Sequence, residues 1–270
     1  MPHMDLIDRP NSTKEFLFLS DFDQTLSFQD SGHVLSQALG IPNFHEKVTS
    51  LAKKHLVQQG GELAYLLVHD PDFRKIRADD LRSAGKKVRL KPNIAPLVEL
   101  LGKLEGHRFT PYVVSAGPQE IVESALEGII APDNIFAGRL AYNQHGEICD
   151  VECLRAGYGK VAILDHLREK FAISQHRVVY VGDGSSDVHV MLHVNRLEGL
   201  TIAVSENKYL TKIAKRTVLS DNALSILIPI MEDLLGWSPS QIRMHMEQQG
   251  FILREWDKVQ TDTVTIVEAA

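Results

Sequence analysis

Cysteine is scarce and long apolar runs are missing, and both shortages exclude whole classes of protein. The 270 residues include only 2 cysteines, too few for a disulfide-built scaffold or for the four ligands of a structural zinc site. We expect Cys149 and Cys153 to be free thiols in a reducing compartment. The longest notable apolar run, residues 226–231, is far shorter than the ~20 residues of a membrane helix. The amino-terminal sequence has no secretory-signal pattern, so we expect a soluble, cytoplasmic protein.

Positive charge is also in short supply. Lysine and arginine number 29 against 35 aspartates and glutamates, which gives a net charge of -6. No global basic field is therefore available to attract nucleic acid or an anionic membrane, and we expect neither as a partner. A ligand that carries phosphate would need a local positive site. The length suits one large domain, or one domain with a smaller insertion.

Strand-like and helix-like segments alternate through most of the chain. Compact apolar runs, typical of strands buried on both faces, occur at residues 16–19, 112–114, 178–181 and 200–204. Segments with helical spacing separate them, at residues 93–104, 119–126, 160–170, 187–193 and 222–235. This alternation predicts an α/β fold with an open parallel sheet.

One interval, residues 30–87, breaks the alternation because it offers helical patches and no convincing strand. The patches lie at residues 32–38, 43–59, 62–68 and 72–83, and glycine or proline separates most of them. We therefore predict a helical subdomain inserted after the first strand.

Two further segments fall outside the simple alternation. Residues 138–150 predict a hairpin around a turn at residues 143–146. From residue 237 onward, Ser238 and Pro239 signal a helix start, and extended runs follow at residues 251–256 and 264–267. The sequence gives this last part no role.

Three predicted strands end in polar residues, namely Asp21, Ser115 and Asp183. Because the carboxyl ends of neighbouring parallel strands open on one crevice, we expect these residues to converge. Asp23 and Asp187 add two more acids close by. Carboxylates so near one another are costly unless a cation or a proton relieves them. A cluster of oxygen ligands without histidine or cysteine suits Mg²⁺.

The order of these motifs resembles the haloacid dehalogenase (HAD) superfamily, and more narrowly its phosphoserine phosphatase-like branch. The matching features are DFDQT at residues 21–25, a serine on an apolar strand, a downstream lysine and GDGSSD at residues 182–187. The resemblance covers roughly residues 15–235. It implies a Rossmann-like open parallel sheet, the HAD core, with an inserted helical cap domain. The implied division is a core of residues 1–29 and 88–236, a cap of residues 30–87 and a C-terminal extension of residues 237–270.

The same resemblance implies a phosphatase, that is, a phosphoric monoester hydrolase that forms an aspartyl phosphate. Asp21 would be the nucleophile, and Asp23 would be the general acid and then the base. Thr25 would steady the first loop, while Ser115 and Lys160 would bind the phosphoryl oxygens. An acid two residues after the nucleophile is typical of phosphatases and phosphomutases and not of dehalogenases, so a phosphoryl substrate follows.

A Mg²⁺ ion and a small phosphorylated metabolite are the implied ligands. Mg²⁺ would be held by the carboxylates of Asp21 and Asp183 and the backbone carbonyl of Asp23, with Asp187 as a further ligand or as support. The residues implied to bind substrate are Asp30, Ser115, Ala116, Lys160 and Ser186.

Three of these positions depart from the branch. Asp30 stands where the branch has a glutamate that recognises an amino group, and it is equally suited to cap a helix through the amide of Gly32 or His33. Ala116 and Ser186 replace the usual glycine and asparagine. These departures leave the substrate open, and Arg74, Arg77 and Arg82 are candidates to bind a substrate carboxylate from the cap.

Two other functions stay open from sequence. A phosphotransferase or phosphomutase of the same superfamily would pass the phosphoryl group to an acceptor other than water. A noncatalytic binding or regulatory protein on a HAD scaffold would need no nucleophile, and the intact set of acids argues against it. His189 and His193 have the i, i+4 spacing of a zinc pair, but they lack the accompanying glutamate and are better interpreted as packing or surface residues. The oligomeric state stays open.

Overall fold

The computed structural model describes residues 13–258 and 262–268, and its strands form one sheet. The strands are β1 Lys14–Ser20, β2 His107–Pro118, β3 Ile135–Tyr142, β4 Ile148–Cys153, β5 Val178–Gly182, β6 Leu200–Ala203, β7 Arg216–Leu219, β8 Phe251–Lys258 and β9 Asp262–Glu268. Their order across the sheet is β4-β3-β2-β1-β5-β6-β7-β9-β8. The edge strands β4 and β8 are antiparallel to their neighbours, whereas the other strands are parallel. The prediction of an open, mostly parallel α/β sheet is confirmed.

Helices connect most of these strands. They are α1 Ser31–Leu39, α2 Phe44–Lys53, α3 Glu62–His69, α4 Ala78–Gly85, α5 Ile94–Leu101, α6 Gln119–Ala125, α7 Tyr158–Lys170, α8 Val188–Arg196, α9 Leu210–Ile213, α10 Leu227–Asp233 and α11 Pro239–Gln248. Among the described residues, none of the helices combines the length and the apolar character that a membrane span requires. The first twelve residues, where we expected no secretory signal, lie outside the described part.

Strand β1 shows why the central strands read as continuous apolar runs. Phe16 and Phe18 pack into a large cluster on one face of the sheet. Leu17 and Leu19 pack into a second cluster on the other face. Successive strand residues point to opposite faces, so a strand covered on both sides must be apolar throughout. Because the apolar part of β1 is buried, the polar residues of the site follow at its carboxyl end.

The four helices α1 to α4 all lie between β1 and β2, where the helical patches were predicted, but two of them are shorter. The helix predicted to reach residue 59 ends at Lys53, because His55 has a positive φ of 50° and the Leu56 amide bonds to the Leu51 carbonyl. Residues 72–75 form turns rather than helix, and residues 76–77 are not helical either. Arg77 is extended, and its amide donates to the Asp80 carboxylate, which sets the start of α4.

The chain enters and leaves these four helices through two paired linkers. Ser27 and Leu90 form an antiparallel bridge. The amide of Phe28 donates to the Arg89 carbonyl at 2.9 Å, and the Arg89 guanidinium lies over the Phe28 ring at 4.4 Å. The helical segment is thus attached beside the carboxyl end of β1.

The residues after 236 extend the sheet. Strand β9 pairs in parallel with β7, and β8 pairs with β9. Ser238 caps α11 as its sequence predicts, since its hydroxyl accepts from the Gln241 amide. Strand β7 was not predicted, because Arg216 and Thr217 break its short apolar pattern. Both cysteines are free thiols.

Candidate active site

The polar residues near the carboxyl ends of three central strands meet where those ends lie side by side. Asp21 follows β1 directly, and Asp183 follows β5 directly. Ser115 lies within β2 rather than at its end, where the pairing of β2 with β3 becomes irregular between Val114 and Pro118. Because β2, β1 and β5 are neighbours in the sheet, the three polar segments border one crevice, as expected for an open parallel sheet.

A buried lysine stands at the centre of the acidic residues. The Lys160 Nζ lies 3.0 Å from Asp21 Oδ2 and 2.6 Å from Asp187 Oδ1. Lys160 and Asp187 are fully buried. Burial alone would lower the pKa of the Lys160 ammonium, but the charges of Asp187 and Asp21 outweigh it and raise that pKa above its ordinary value. Lys160 therefore stays protonated and supplies a local positive charge.

Asp187 is fully engaged in hydrogen bonds. Its Oδ1 accepts from Lys160 Nζ and from the Tyr180 hydroxyl, both at 2.6 Å. Its Oδ2 accepts from the backbone amides of Asp183 at 3.1 Å and Gly184 at 3.0 Å. A carboxylate offers about four lone-pair directions, so the donors already present use all of them. Asp187 thus fixes the position of the Lys160 ammonium and of the loop after β5.

Asp21 and Asp183 are placed to hold a metal ion, with Asp187 beside them as support. One carboxylate oxygen of each of Asp21, Asp183 and Asp187 lies within 4.8 Å of the others. Burial, with the charge of Asp187 adding to it, raises the pKa of Asp21 well above its usual range and that of Asp183 to about 7. These shifts mark carboxylates that lack sufficient counter-charge. The Thr25 hydroxyl supports Asp183 by donating to its Oδ1 at 3.2 Å. An all-oxygen donor set of this kind fits a hard divalent cation.

Asp23 occupies a separate position beside the first helix. Its Oδ1 accepts from the Ser31 amide at 2.8 Å, and its Oδ2 accepts from the Ser31 hydroxyl at 2.9 Å. Burial, and then the charge of Asp30, raises the pKa of Asp23 to about 8. A carboxyl group with such a pKa can gain or lose a proton near neutrality, which is what a general acid and base requires.

The segment after Ser115 presses against Asp23. The Gly117 amide donates to the Ser115 hydroxyl oxygen at 3.0 Å. A Cβ on Gly117 would lie 2.8 Å from the Ser31 Oγ and 3.3 Å from Asp23 Oδ2. Only glycine leaves room for this approach, so Gly117 connects the second motif with the first.

The remaining predicted substrate-binding residues border the same cavity. Asp30 is the N-cap of α1, and its Oδ1 accepts from the His33 amide at 3.0 Å. The hydrogen bond expected if Asp30 caps the helix is therefore present in the structure. Ala116 and Ser186 line the cavity wall, and the Ser186 Oγ lies 3.4 Å from Lys160 Nζ.

The cavity itself has a volume of about 760 Å³ and lies between helices α1 to α3 and the loops of the sheet edge. Asp21, Asp23 and Asp183 border it on the sheet side. Ser115 and Lys160 are fully buried behind this lining, and Lys160 contacts Asp21. Most of the predicted site residues thus border one cavity, and Lys160 reaches it through Asp21.

Several other candidates from the sequence lie elsewhere. None of Arg74, Arg77 and Arg82 belongs to the described lining of the cavity, and Arg82 pairs with Asp79 at 2.9 Å on the surface. The two histidines of α8 do not form a zinc pair. The His193 Nε2 lies 2.9 Å from Asp165 Oδ1, whereas the His189 ring stacks on another aromatic ring, that of Tyr158.

Sequence reasoning missed three contributors to the site. Tyr180 is a lone hydroxyl in an apolar strand, and that isolation was its only signal. Ser31 follows the predicted helix cap and had no signal of its own. Helix α2 presents Phe44, Val48 and Ala52 to the cavity, and their spacing of four residues is the mark of one helical face.

The fold and the site together define a protein with an α/β core and an acidic centre at the strand ends. The family model for haloacid dehalogenase-like hydrolases matches residues 18–192. The chain belongs to this family, and the resemblance seen in its motifs is confirmed.

Individual relatives share parts of the chain. A protein of Exiguobacterium sp. (strain ATCC BAA-1283 / AT1b), named 2-hydroxy-3-keto-5-methylthiopentenyl-1-phosphate phosphatase, is 29% identical over 144 residues. That match spans 50% of this chain and 63% of the relative's length.

Solved structures show the fold more completely. A substrate-bound phosphoserine phosphatase has a TM-score of 0.63 at 23% identity and covers 79% of this chain and 97% of its own. A gene product of Archaeoglobus fulgidus has a TM-score of 0.64 at 15% identity and covers 94% of this chain and 90% of its own. The phosphoserine phosphatase-like fold is therefore confirmed.

Proposed function

We propose that this protein is a Mg²⁺-dependent phosphomonoesterase that hydrolyses a small phosphorylated metabolite through an aspartyl phosphate. The observation that carries the proposal is the placement of Asp21. Its carboxylate borders the cavity and pairs with the buried Lys160 at 3.0 Å, and the same cavity is lined by Asp23, whose pKa of about 8 suits proton transfer. The names of the relatives, a methylthiopentenyl-phosphate phosphatase and a phosphoserine phosphatase, support the same reaction class.

Electrostatics supports this assignment, because a carboxylate that approaches a phosphate dianion must overcome repulsion. At about 4 Å and an effective dielectric constant near 20, each unit charge contributes on the order of 4 kcal/mol. Lys160 supplies one positive charge beside the nucleophile. Together with the Ser115 hydroxyl it would hold the phosphoryl oxygens during transfer.

In the first step, an oxygen of Asp21 attacks phosphorus, and the ester bond to the leaving oxygen breaks. Asp23 donates its proton to that oxygen, so the alcohol product leaves neutral. In the second step, Asp23 takes a proton from water, and the water oxygen attacks the phosphorus of the aspartyl phosphate. The bond to Asp21 then breaks, which releases phosphate and restores the carboxylate. Ser31 positions Asp23 for both transfers through its two hydrogen bonds.

The residues that would hold Mg²⁺ are Asp21 and Asp183 through their carboxylates and Asp23 through its backbone carbonyl. When bound, the ion would supply positive charge that offsets the crowded acids and the substrate phosphate. Asp187 would support this site from behind, because its four hydrogen bonds leave no lone pair for a metal.

The proposed domain division assigns residues 1–29 and 88–236 to the catalytic core and residues 30–87 to a cap. The cap would close the cavity against bulk water, which strengthens the charge interactions inside it. The free thiols of Cys149 and Cys153 support a reducing, cytoplasmic location.

A phosphate-release assay tests this proposal. We expect the purified protein to release phosphate from p-nitrophenyl phosphate with Mg²⁺, to stop when EDTA removes the metal and to recover when Mg²⁺ is restored. Mg²⁺ should also raise the melting temperature, because it relieves repulsion among the acids. Full activity in metal-free buffer would contradict the metal assignment, and phosphate transfer to an acceptor without free phosphate would indicate a phosphotransferase.

A further inference from the structure

The cap side of the candidate active site carries an apolar wall, and this wall bears on which substrate the site accepts. Phe44, Val48 and Ala52 lie four residues apart on α2, and all three line the cavity together with Leu63 of α3. We call Phe44, Val48, Ala52 and Leu63 the apolar wall. Side chains at this spacing share one face of a helix, and His45, Thr49 and Lys53 of the same helix line the cavity beside them.

The apolar wall is held in place by close packing. A Cβ on Gly32 would lie only 2.5 Å from the Phe44 Cζ, so the ring rests against the backbone of α1. The Phe44 ring also contacts the ring of the buried Phe73, with centroids 6.1 Å apart. A fixed aromatic ring gives a defined shape to the space beside the phosphoryl site.

The charges that line the cavity disfavour a substrate with a second anionic group. Among the described lining residues, Lys53 is the only lysine or arginine, and its side chain is exposed. The acids Asp30 and Glu62 line the same space. The Glu62 carboxylate is buried and accepts from the Gly60 amide at 2.8 Å. A substrate carboxylate would thus meet negative charge and no bidentate arginine partner.

We propose that the substrate is the phosphate ester of a small aliphatic compound whose part distal to the phosphate carries no carboxylate or other anionic group. This inference rests on the proposed phosphomonoesterase function. The phosphate would lie at Asp21 and Lys160. The aliphatic part would pack against the apolar wall and be shielded there from water. Burial of apolar surface of this kind favours binding. Phosphorylated amino acids are excluded as good substrates.

The test compares n-pentyl phosphate with phosphoserine in the full-length protein, with p-nitrophenyl phosphate as a general substrate. We expect kcat/KM for pentyl phosphate to exceed that for phosphoserine by about tenfold or more. Leu63→Ala should lower kcat/KM for pentyl phosphate roughly tenfold, and Val48→Thr should lower it several-fold, mainly through KM. Val68→Thr is the matched control, because Val68 lies on α3 outside the described cavity lining.

The outcomes separate this inference from the function on which it rests. If none of the three compounds releases phosphate, the proposed function fails and the inference falls with it. If p-nitrophenyl phosphate is hydrolysed but phosphoserine equals or exceeds pentyl phosphate, the function stands and the inference is overturned. A preference for phosphoserine that Lys53→Gln abolishes would show that Lys53 binds an anionic distal group instead. Equal losses of kcat/KM for pentyl phosphate in Val48→Thr and Val68→Thr would also overturn the inference.

Discussion

At the scale of single residues, the ion pair between Lys160 and Asp187 stabilises the arrangement of the site. Both side chains are fully buried, so neither charge has water to stabilise it if the partner is removed. Breaking a buried ion pair from one side commonly costs about 3 to 5 kcal/mol, because it leaves the other charge uncompensated. The Tyr180 hydroxyl and two backbone amides also depend on Asp187.

We predict that Asp187→Asn lowers the free energy of unfolding by about 3 kcal/mol and greatly reduces turnover, because Lys160 loses its nearest carboxylate. Urea denaturation and phosphate release measure the two effects. Asp165→Asn is the control, since Asp165 is partly exposed and pairs with Arg168 and His193 on the surface. Surface pairs contribute about 0 to 1 kcal/mol. Similar losses in the two variants would contradict a special role for Asp187.

Asp30 offers a second residue-scale prediction. Its carboxylate caps α1, and alanine cannot cap a helix whereas asparagine can. Asp30→Ala should therefore lower the free energy of unfolding by about 1 kcal/mol, while Asp30→Asn should leave it nearly unchanged. Thermal denaturation of both variants checks this.

Kinetics with the same variants separates capping from substrate recognition. If Asp30 also binds an amino group, Asp30→Asn should weaken transition-state stabilisation of amine-bearing phosphomonoesters by roughly 1.5 to 3 kcal/mol, measured as a lower kcat/KM. Neutral phosphomonoesters should be spared. An equal effect on both substrate classes leaves Asp30 with the capping role alone.

Asp21 and Asp183 could be located from sequence because each directly follows a strongly apolar strand. Lys160 lies in the first turn of α7, and its role came from the family resemblance. Ser31 and Tyr180 could not be found this way. Their contributions depend on which hydroxyl meets which carboxylate after the helices pack, and no local pattern encodes a contact across 7 or 8 positions of chain.

At the scale of elements, an ion cluster on the surface joins helix α2 to the turn after α3. The Lys47 Nζ on α2 lies 2.8 Å from Asp70 and 2.7 Å from Asp72 in the turn after α3. Although partial burial raises the pKa of Asp70, the hydrogen bonds from Lys47 and from the Asp72 amide lower it below the usual value. The Lys47 pKa is raised, because its bonds to Asp70 and Asp72 outweigh its burial.

The pKa shifts of Asp70 and Lys47 set the pH range in which their ion pair stabilises the packing of α2 beside α3. A lowered carboxyl pKa contributes stability above the unfolded value of about 3.9, and this stability is lost as the pH falls through the folded pKa. The raised lysine pKa contributes stability below about 10.4 that is lost as the pH rises through the folded value.

We predict that Lys47→Met weakens hydrogen-exchange protection of α2 by about 0.5 to 1 kcal/mol at neutral pH. The difference from the wild type should vanish in acid, where Asp70 is protonated. Lys54→Met is the control, because no described residue forms an ion pair with Lys54. A difference that persists unchanged in acid would show that Lys47 acts through packing of its aliphatic stem.

Helices and buried strands were predictable at this scale wherever periodicity was strong, and their ends were less so. Helix α2 stops at Lys53 because of a positive φ at His55, a conformation that histidine adopts more often than most residues but still rarely. Strand β7 has only four residues, and its place is fixed by pairing with β6 and β9 rather than by its own pattern.

At the scale of the whole molecule, the C-terminal residues belong to the folded core. Ile242 and Met246 of α11 are fully buried, and α11 contacts α10 and β8. The Asn222 side chain donates to the Ile266 carbonyl of β9 at 3.3 Å. The sequence could not show this connection, because it depends on strands that are distant along the chain.

We predict that Met246→Ala lowers the free energy of unfolding by about 2 to 5 kcal/mol, the range for a buried methionine, and leaves a single unfolding transition. Met244→Ala is the matched control, because Met244 is 55% exposed on the same helix, and it should change stability by less than about 0.5 kcal/mol. Urea denaturation followed by tryptophan fluorescence and circular dichroism checks both. A separate early transition in Met246→Ala would show that the extension unfolds independently.

Trapping the covalent intermediate is the sharpest test of whether Asp21 attacks phosphorus. The protein would be mixed with p-nitrophenyl phosphate and Mg²⁺, quenched rapidly in acid and digested for mass spectrometry. We predict that the peptide containing Asp21 gains the mass of one phosphoryl group, at Asp21 itself, and that Asp21→Asn folds normally but neither gains this mass nor turns over substrate. Rapid phosphate release without any adduct, a phosphoryl group on another residue, or wild-type turnover by Asp21→Asn would contradict the account.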